Sequence, residues 1–231
     1  NIGVSVMLLA RCKALLNRME NFLWSRKKYK FIIKDWLTLP DLKSCAEVLK
    51  TMRFTQNIKP VILNCPTAKK ILLIAPHPDD EILGAGGALI KAIAAGASVK
   101  VVYLTSGKSM DAAIIEQETQ RVAEKIGYSI EFLRYELNNI PIASDKIRKL
   151  ANVILDYSPN IIFIPALFDD HDDHRRASQL LLECYRQFGL AKKTMVWCYQ
   201  VYSTLIPNVV VDITDEISLK LAALRLWSTQ N

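Results

Sequence analysis

The 231-residue sequence predicts an α/β fold: a Rossmann-like, mostly parallel sheet with helices on both faces and its active groups at the carboxyl ends of the strands. Three observations predict it. From residue 69 onward, short unbroken apolar runs alternate with longer helix-like stretches. Strands buried on both faces read as such runs, and helical crossovers between them keep them parallel. Two polar bursts rich in His and Asp, "PHPDDE" and "PALFDDHDDHRR", follow the first and fourth runs. Open parallel sheets collect functional groups at those strand ends.

Taken in order, the chain opens with a segment unlike the rest. Up to about Trp24 it is helix-like, with apolar Met7, Leu8, Leu15, Met19, Phe22 and Leu23 spaced three to four apart, before the cationic knot "SRKKYK". Pro40, Pro60 and Pro66 punctuate the approach to the main domain. Strands are expected at 71–75, 99–104, 130–133 and 161–164, then at 195–202 and 209–211. Helices are expected at 83–95, 112–126, 145–157, 174–187 and 215–228. The expected division is a basic helical extension over 1–66 and one α/β domain over 67–231.

Charge supports that division. The formal net charge is +7, yet residues 1–70 carry 14 Lys/Arg against 4 Asp/Glu while the remainder carries 16 against 19. The basic character thus belongs to the N-terminal segment, which disfavours nucleic acid as a partner of the whole protein. The segment's apolar stripe and cations suit either packing on the domain or peripheral contact with an anionic membrane. No apolar stretch reaches the ~18–20 residues of a membrane span. Five scattered cysteines, odd in number and without CxxC, fit a reducing, cytoplasmic setting. With no initiator Met, the opening residues read as the interior of a longer chain.

The stretch "IAPHPDDEILGAGG" (74–87) carries the first chemical signal. A phosphate loop would need glycine at position 89, which is Leu89, and Asp79, Asp80 and Glu81 would repel a pyrophosphate. A divalent metal such as zinc takes imidazole nitrogen and carboxylate oxygen, with three protein ligands and one open position at a catalytic site. His77, His171 and His174 are all the histidines of the chain, and all lie beside paired acids at two strand ends. That pattern favours a metal held by His77, Asp80 and His174 over a solvated turn.

His77-Pro78-Asp79-Asp80-Glu81 together with His171-Asp172-Asp173-His174 resembles the PIG-L/LmbE-like zinc-dependent de-N-acetylases, the N-acetylglucosaminyl deacetylases. The likeness runs from about residue 69 to the end. It takes in "LTSG" (104–107), the helix ending at Gly127 and the tail "DITDEISLKLAALRLWSTQ". Asp172, Trp227 and Thr229 depart from the usual residues of these motifs, and Ile115 and Glu116 stand where an early Arg is common. The resemblance implies zinc, or iron or another divalent metal, on His77, Asp80 and His174. It implies Asp79 as general base and His171 as oxyanion stabiliser and proton donor. Asp173 would orient a histidine or simply cap its helix, and Glu81 reads as a first-turn acid. The implied reaction removes acetyl from a GlcNAc-type glycoconjugate, small or lipid-linked. A zinc amidase on another N-acyl or thiol-conjugate substrate, and a non-catalytic binding member of the fold, remain the alternatives.

Overall fold

The computed structural model describes residues 59–107, 110–189, 194–202 and 207–229. The expectations for residues 1–58 lie outside the described residues. The chain divides into Asn1–Lys59 and Pro60–Asn231, and the fold below is that of the second unit.

Twelve elements follow in order among the described residues: β1 (Val61–Leu63), β2 (Lys70–Ala75), α1 (Asp80–Ala94), β3 (Ser98–Tyr103), α2 (Ala112–Ile126), β4 (Ser129–Phe132), α3 (Ser144–Tyr157), β5 (Ile161–Pro165), α4 (Asp172–Phe188), β6 (Met195–Tyr199), β7 (Val209–Val211) and α5 (Ile217–Leu224). Five strands form one sheet in the order β4-β3-β2-β5-β6, with every pair parallel. Short β1 and β7 pair separately, also in parallel. This is the α/β architecture the apolar runs predict.

The centre of the sheet explains the unbroken runs. β2 is flanked on both edges and covered on both faces, so Ile71 to Ala75 are all fully buried. Successive side chains alternate between two cores. Ile71, Leu73 and Ala75 meet Leu89 of α1, Val122 of α2 and Trp227 beyond α5. Leu72 and Ile74 meet Leu150 of α3 and Leu180 of α4 on the other face. Each such buried aliphatic contributes about 1.5–3 kcal/mol relative to exposure.

Some boundaries move, for physical reasons. α1 and α4 begin at Asp80 and Asp172, two to three residues before the apolar periodicity starts, because their opening acids favour a helix N-terminus. β6 stops at Tyr199, where its pairing with β5 ends at Pro165. α2 ends where Gly127, at φ 98°, turns left-handed and returns its N–H to the Ala123 carbonyl.

Gly84 marks the tightest approach of α1 to the sheet. A Cβ there would lie 2.2 Å from Cδ2 of Tyr199 and 3.0 Å from the Gln200 carbonyl oxygen. Tyr199 is buried and its hydroxyl donates to the Ile74 carbonyl, so the ring has no free path aside. Gly84→Ala gains ~1 kcal/mol of helix propensity but overpacks by ~1–3 kcal/mol. The expected result is a lower thermal midpoint, and a midpoint equal to or above the parent's would refute this packing.

Candidate active site

The site lies where β2 and β5, neighbours in the sheet, both end. β2 runs out at Ala75, and the chain turns through His77 and Asp79 into α1. Asp79 sits at φ 103°, a conformation that costs a non-glycine residue ~1–3 kcal/mol. That sharp turn puts the Asp80 carboxylate on the first turn of α1, where its Oδ2 accepts from the His77 backbone N–H at 2.9 Å. Burial of Asp80 is nearly complete.

After β5 the chain supplies Asp169, His171, Asp173 and His174. His171 caps α4: its Nδ1 accepts from the Asp173 backbone N–H at 3.2 Å. One turn on, His174 is fully buried and faces the Asp80 carboxylate. Asp80 Oδ2 lies 3.2 Å from His77 Nδ1 and 3.2 Å from His174 Nε2. Each imidazole has a carboxylate on its far nitrogen: Asp173 Oδ2 is 3.0 Å from His77 Nε2, and Asp169 Oδ1 is 3.3 Å from His174 Nδ1. Neither ring nitrogen of His174 makes an aligned hydrogen bond despite those neighbours. One ring nitrogen each of His77, His171 and His174 lie within 4.8 Å of one another.

The electrostatics follow from this crowding. Burial alone would lower the pKa values of His77 and His174, but carboxylates override it and push both up to about 9 (Asp173 and Asp80 for His77, Asp169 and Asp80 for His174). Burial would raise Asp80, yet the two imidazoles hold it well below the usual carboxylate range. Burial, then the Asp80 charge, pushes Asp79 up to about 7. Partial burial and the neighbouring His77 and His174 hold His171 below its ordinary value.

All six residues singled out from the sequence therefore share one site, Asp79 through its electrostatic coupling to His77, His174 and Asp80. Asp173 does more than cap. Its Oδ1 and Oδ2 accept from the backbone N–H groups of Ile140 and Asn138, which ties the loop after β4 to His77. Sequence reasoning missed Asp169, a fully buried carboxylate that also accepts from the His171 and Tyr202 backbone N–H groups. Its signal was present as the first acid of "DDHDDH", two residues before a histidine that was singled out. Tyr202, which stacks on His171 with centroids 5.5 Å apart, carried no sequence signal.

Residues 72–185, which hold both His/Asp clusters, match the PIG-L family described as GlcNAc-PI de-N-acetylase. The chain carries a PIG-L domain. Relatives agree. Diacetylchitobiose deacetylase of Thermococcus kodakarensis is 29% identical over 188 residues, 70% of each chain. The solved N,N'-diacetylchitobiose deacetylase of Pyrococcus horikoshii matches with a TM-score of 0.61 at 27% identity, covering 81% of this chain and 79% of that one. The 4-carboxy-2-hydroxymuconate hydratase of Pseudomonas putida shares the fold at a TM-score of 0.59 and 22% identity, covering 70% of this chain and 80% of its own. The same fold thus also houses a hydratase, so the reaction has to be argued from the residues of the site.

Proposed function

We propose that this PIG-L protein is a metal-dependent N-deacetylase that removes acetyl from GlcNAc-type amino sugars. One observation carries the reading: His77, Asp80 and His174 converge on one point while a further carboxylate, Asp79, stands beside them. A merely structural ion would have no use for that extra base. The deacetylases of Thermococcus and Pyrococcus supply the sugar half of the reading.

The donor set fits a divalent metal. Ligand atoms of a tetrahedral centre with ~2.0–2.1 Å bonds sit ~3.3 Å apart, and the two Asp80–imidazole separations are both 3.2 Å. The buried Nε2 of His174, without an aligned hydrogen bond, is the lone pair such a centre would use. His77 Nδ1, Asp80 Oδ2 and His174 Nε2 would hold zinc, or ferrous iron, and Asp173 and Asp169 would fix the imidazole tautomers from behind. A metal held there would act as a Lewis acid on the acyl oxygen and lower the pKa of water toward ~7.

The chain's own groups do the rest. Asp79 takes a proton from the attacking water and passes it to the departing amine. His171 keeps Nδ1 on the Asp173 N–H, which leaves its Nε2–H free to donate toward the oxyanion. Partial burial and the neighbouring His77 and His174 lower its pKa, which favours the neutral form as that donor. Water and the N-acetyl amide give acetate and a free amine.

Acetate release from N-acetylglucosaminyl compounds, with and without a chelator, tests the reading. It fails if release is absent or indifferent to the chelator in metal-loaded protein. Other N-acyl compounds and thiol conjugates in the same panel rank the alternative substrates, and binding without turnover would support the non-catalytic alternative.

We also propose that the basic 1–66 segment brings the 67–231 domain to anionic membrane. Basic residues near such a surface contribute ~1 kcal/mol each, screened by salt. Co-sedimentation with anionic vesicles should be strong for the full chain, weaker for a chain starting at Thr67, and reduced at high salt. Equal binding by both would refute it.

A further inference from the structure

Glu81 is the acid of the first burst that the proposed reaction leaves unused. It is fully buried, although a first-turn acid that only favours the helix N-terminus could stay in water. Its two oxygens have different duties. Oε2 accepts from the Asp79 backbone N–H at 3.1 Å. Oε1 accepts from the Tyr128 hydroxyl at 2.8 Å, and that hydroxyl lies 3.3 Å from the Tyr103 hydroxyl. Tyr103 closes β3 and Tyr128 leads into β4, so the chain of contacts anchors Glu81 to the sheet.

Asp79 needs such an anchor. At φ 103° it occupies a region that an aspartate does not hold unaided. Its carbonyl is fixed by the Ile82 and Leu83 N–H groups, at 3.0 and 2.9 Å, which makes it the hinge between strand and helix. Its N–H has Glu81 as acceptor. We infer that Glu81, braced by Tyr128 and Tyr103, is a positioning residue that holds Asp79 in its strained turn and so aims the base at the water. This rests on Asp79 being the base.

The test is a mutant cycle with metal content, kcat, KM and thermal midpoint measured for each protein. Glu81→Met keeps the volume but offers Asp79 no acceptor. It should lower kcat by ~10- to 100-fold, the scale of a small misplacement, with KM and metal content retained. Glu81→Gln should restore most of the rate, because its amide oxygen still accepts from Asp79 and its NH₂ can donate to Tyr128. In an Asp79→Asn background Glu81→Met should cost nothing further. If Glu81→Met fails to fold, Tyr128→Phe takes its place in the cycle, with a several-fold loss of kcat expected and again none in the Asp79→Asn background.

The inference is overturned if kcat stays within twofold of the parent, if the loss persists in the Asp79→Asn background, or if it appears as lost metal. Failure of the base itself would look different: Asp79→Asn alone would then keep its rate.

Discussion

Asp79→Asn should fold, take up metal like the parent, and lose ~10²–10⁴-fold in kcat, the usual contribution of a positioned general base. Asparagine keeps the size and the backbone hydrogen bonds of the turn but cannot accept the water's proton. Asp80 Oδ2, the oxygen that faces both imidazoles, is untouched, so metal content should stay near one per chain. The base works only when ionised, so the rate of the parent should climb with pH through the Asp79 titration. Burial and the Asp80 charge raise that titration above an ordinary aspartate's, and the climb should be missing from the variant. Near-parental activity in Asp79→Asn would transfer the role of base to another group.

The second large effect separates holding the metal from using it. His174→Ala and Asp80→Asn should each lose both metal and rate, read by elemental analysis beside acetate release. His174 is fully buried with a carboxylate on each side, so its removal leaves Asp80 and Asp169 facing each other across a gap. Asp80 serves two imidazoles and the His77 backbone with one oxygen, and an amide there can neither carry the charge nor satisfy all three. A full complement of metal in either variant, or metal liganded by cysteine, would overturn the assignment of His77, Asp80 and His174.

The parts legible from sequence were those whose physics is local. Unbroken apolar runs such as "ILLIA", alternating with helix-like stretches, read as strands covered on both faces, and that alternation points to a parallel sheet. The histidines stood out because there were three, all beside acids. The illegible parts depend on pairs far apart in the chain. Asp169 resembles its neighbours in "DDHDDH", and only the fold shows which acid turns inward to His174. Glu118, in the helix ending at Gly127, and the "WST" of the tail stand far apart in the sequence. The structure joins them across 110 residues, with Ser228 and Thr229 donating both backbone and hydroxyl hydrogens to one buried carboxylate. Trp227, a departure from the motif, is buried against the α1–α2 face and fills core volume there.

The two strands that build the site are neighbours in space but distant in synthesis. On the ribosome, Asp80 emerges 94 residues before His174, a delay of roughly 5–20 s at ordinary elongation rates. Until then Asp80 has His77 beside it but lacks its second imidazole, while Glu81 can already meet Tyr128. β2 can pair with β3 early, but its other edge stays open until Ile161–Phe163 arrive. An ion that needs both clusters can be captured only after the middle of the sheet has closed. A metal held as proposed would thus be loaded by the finished domain and denied to its fragments.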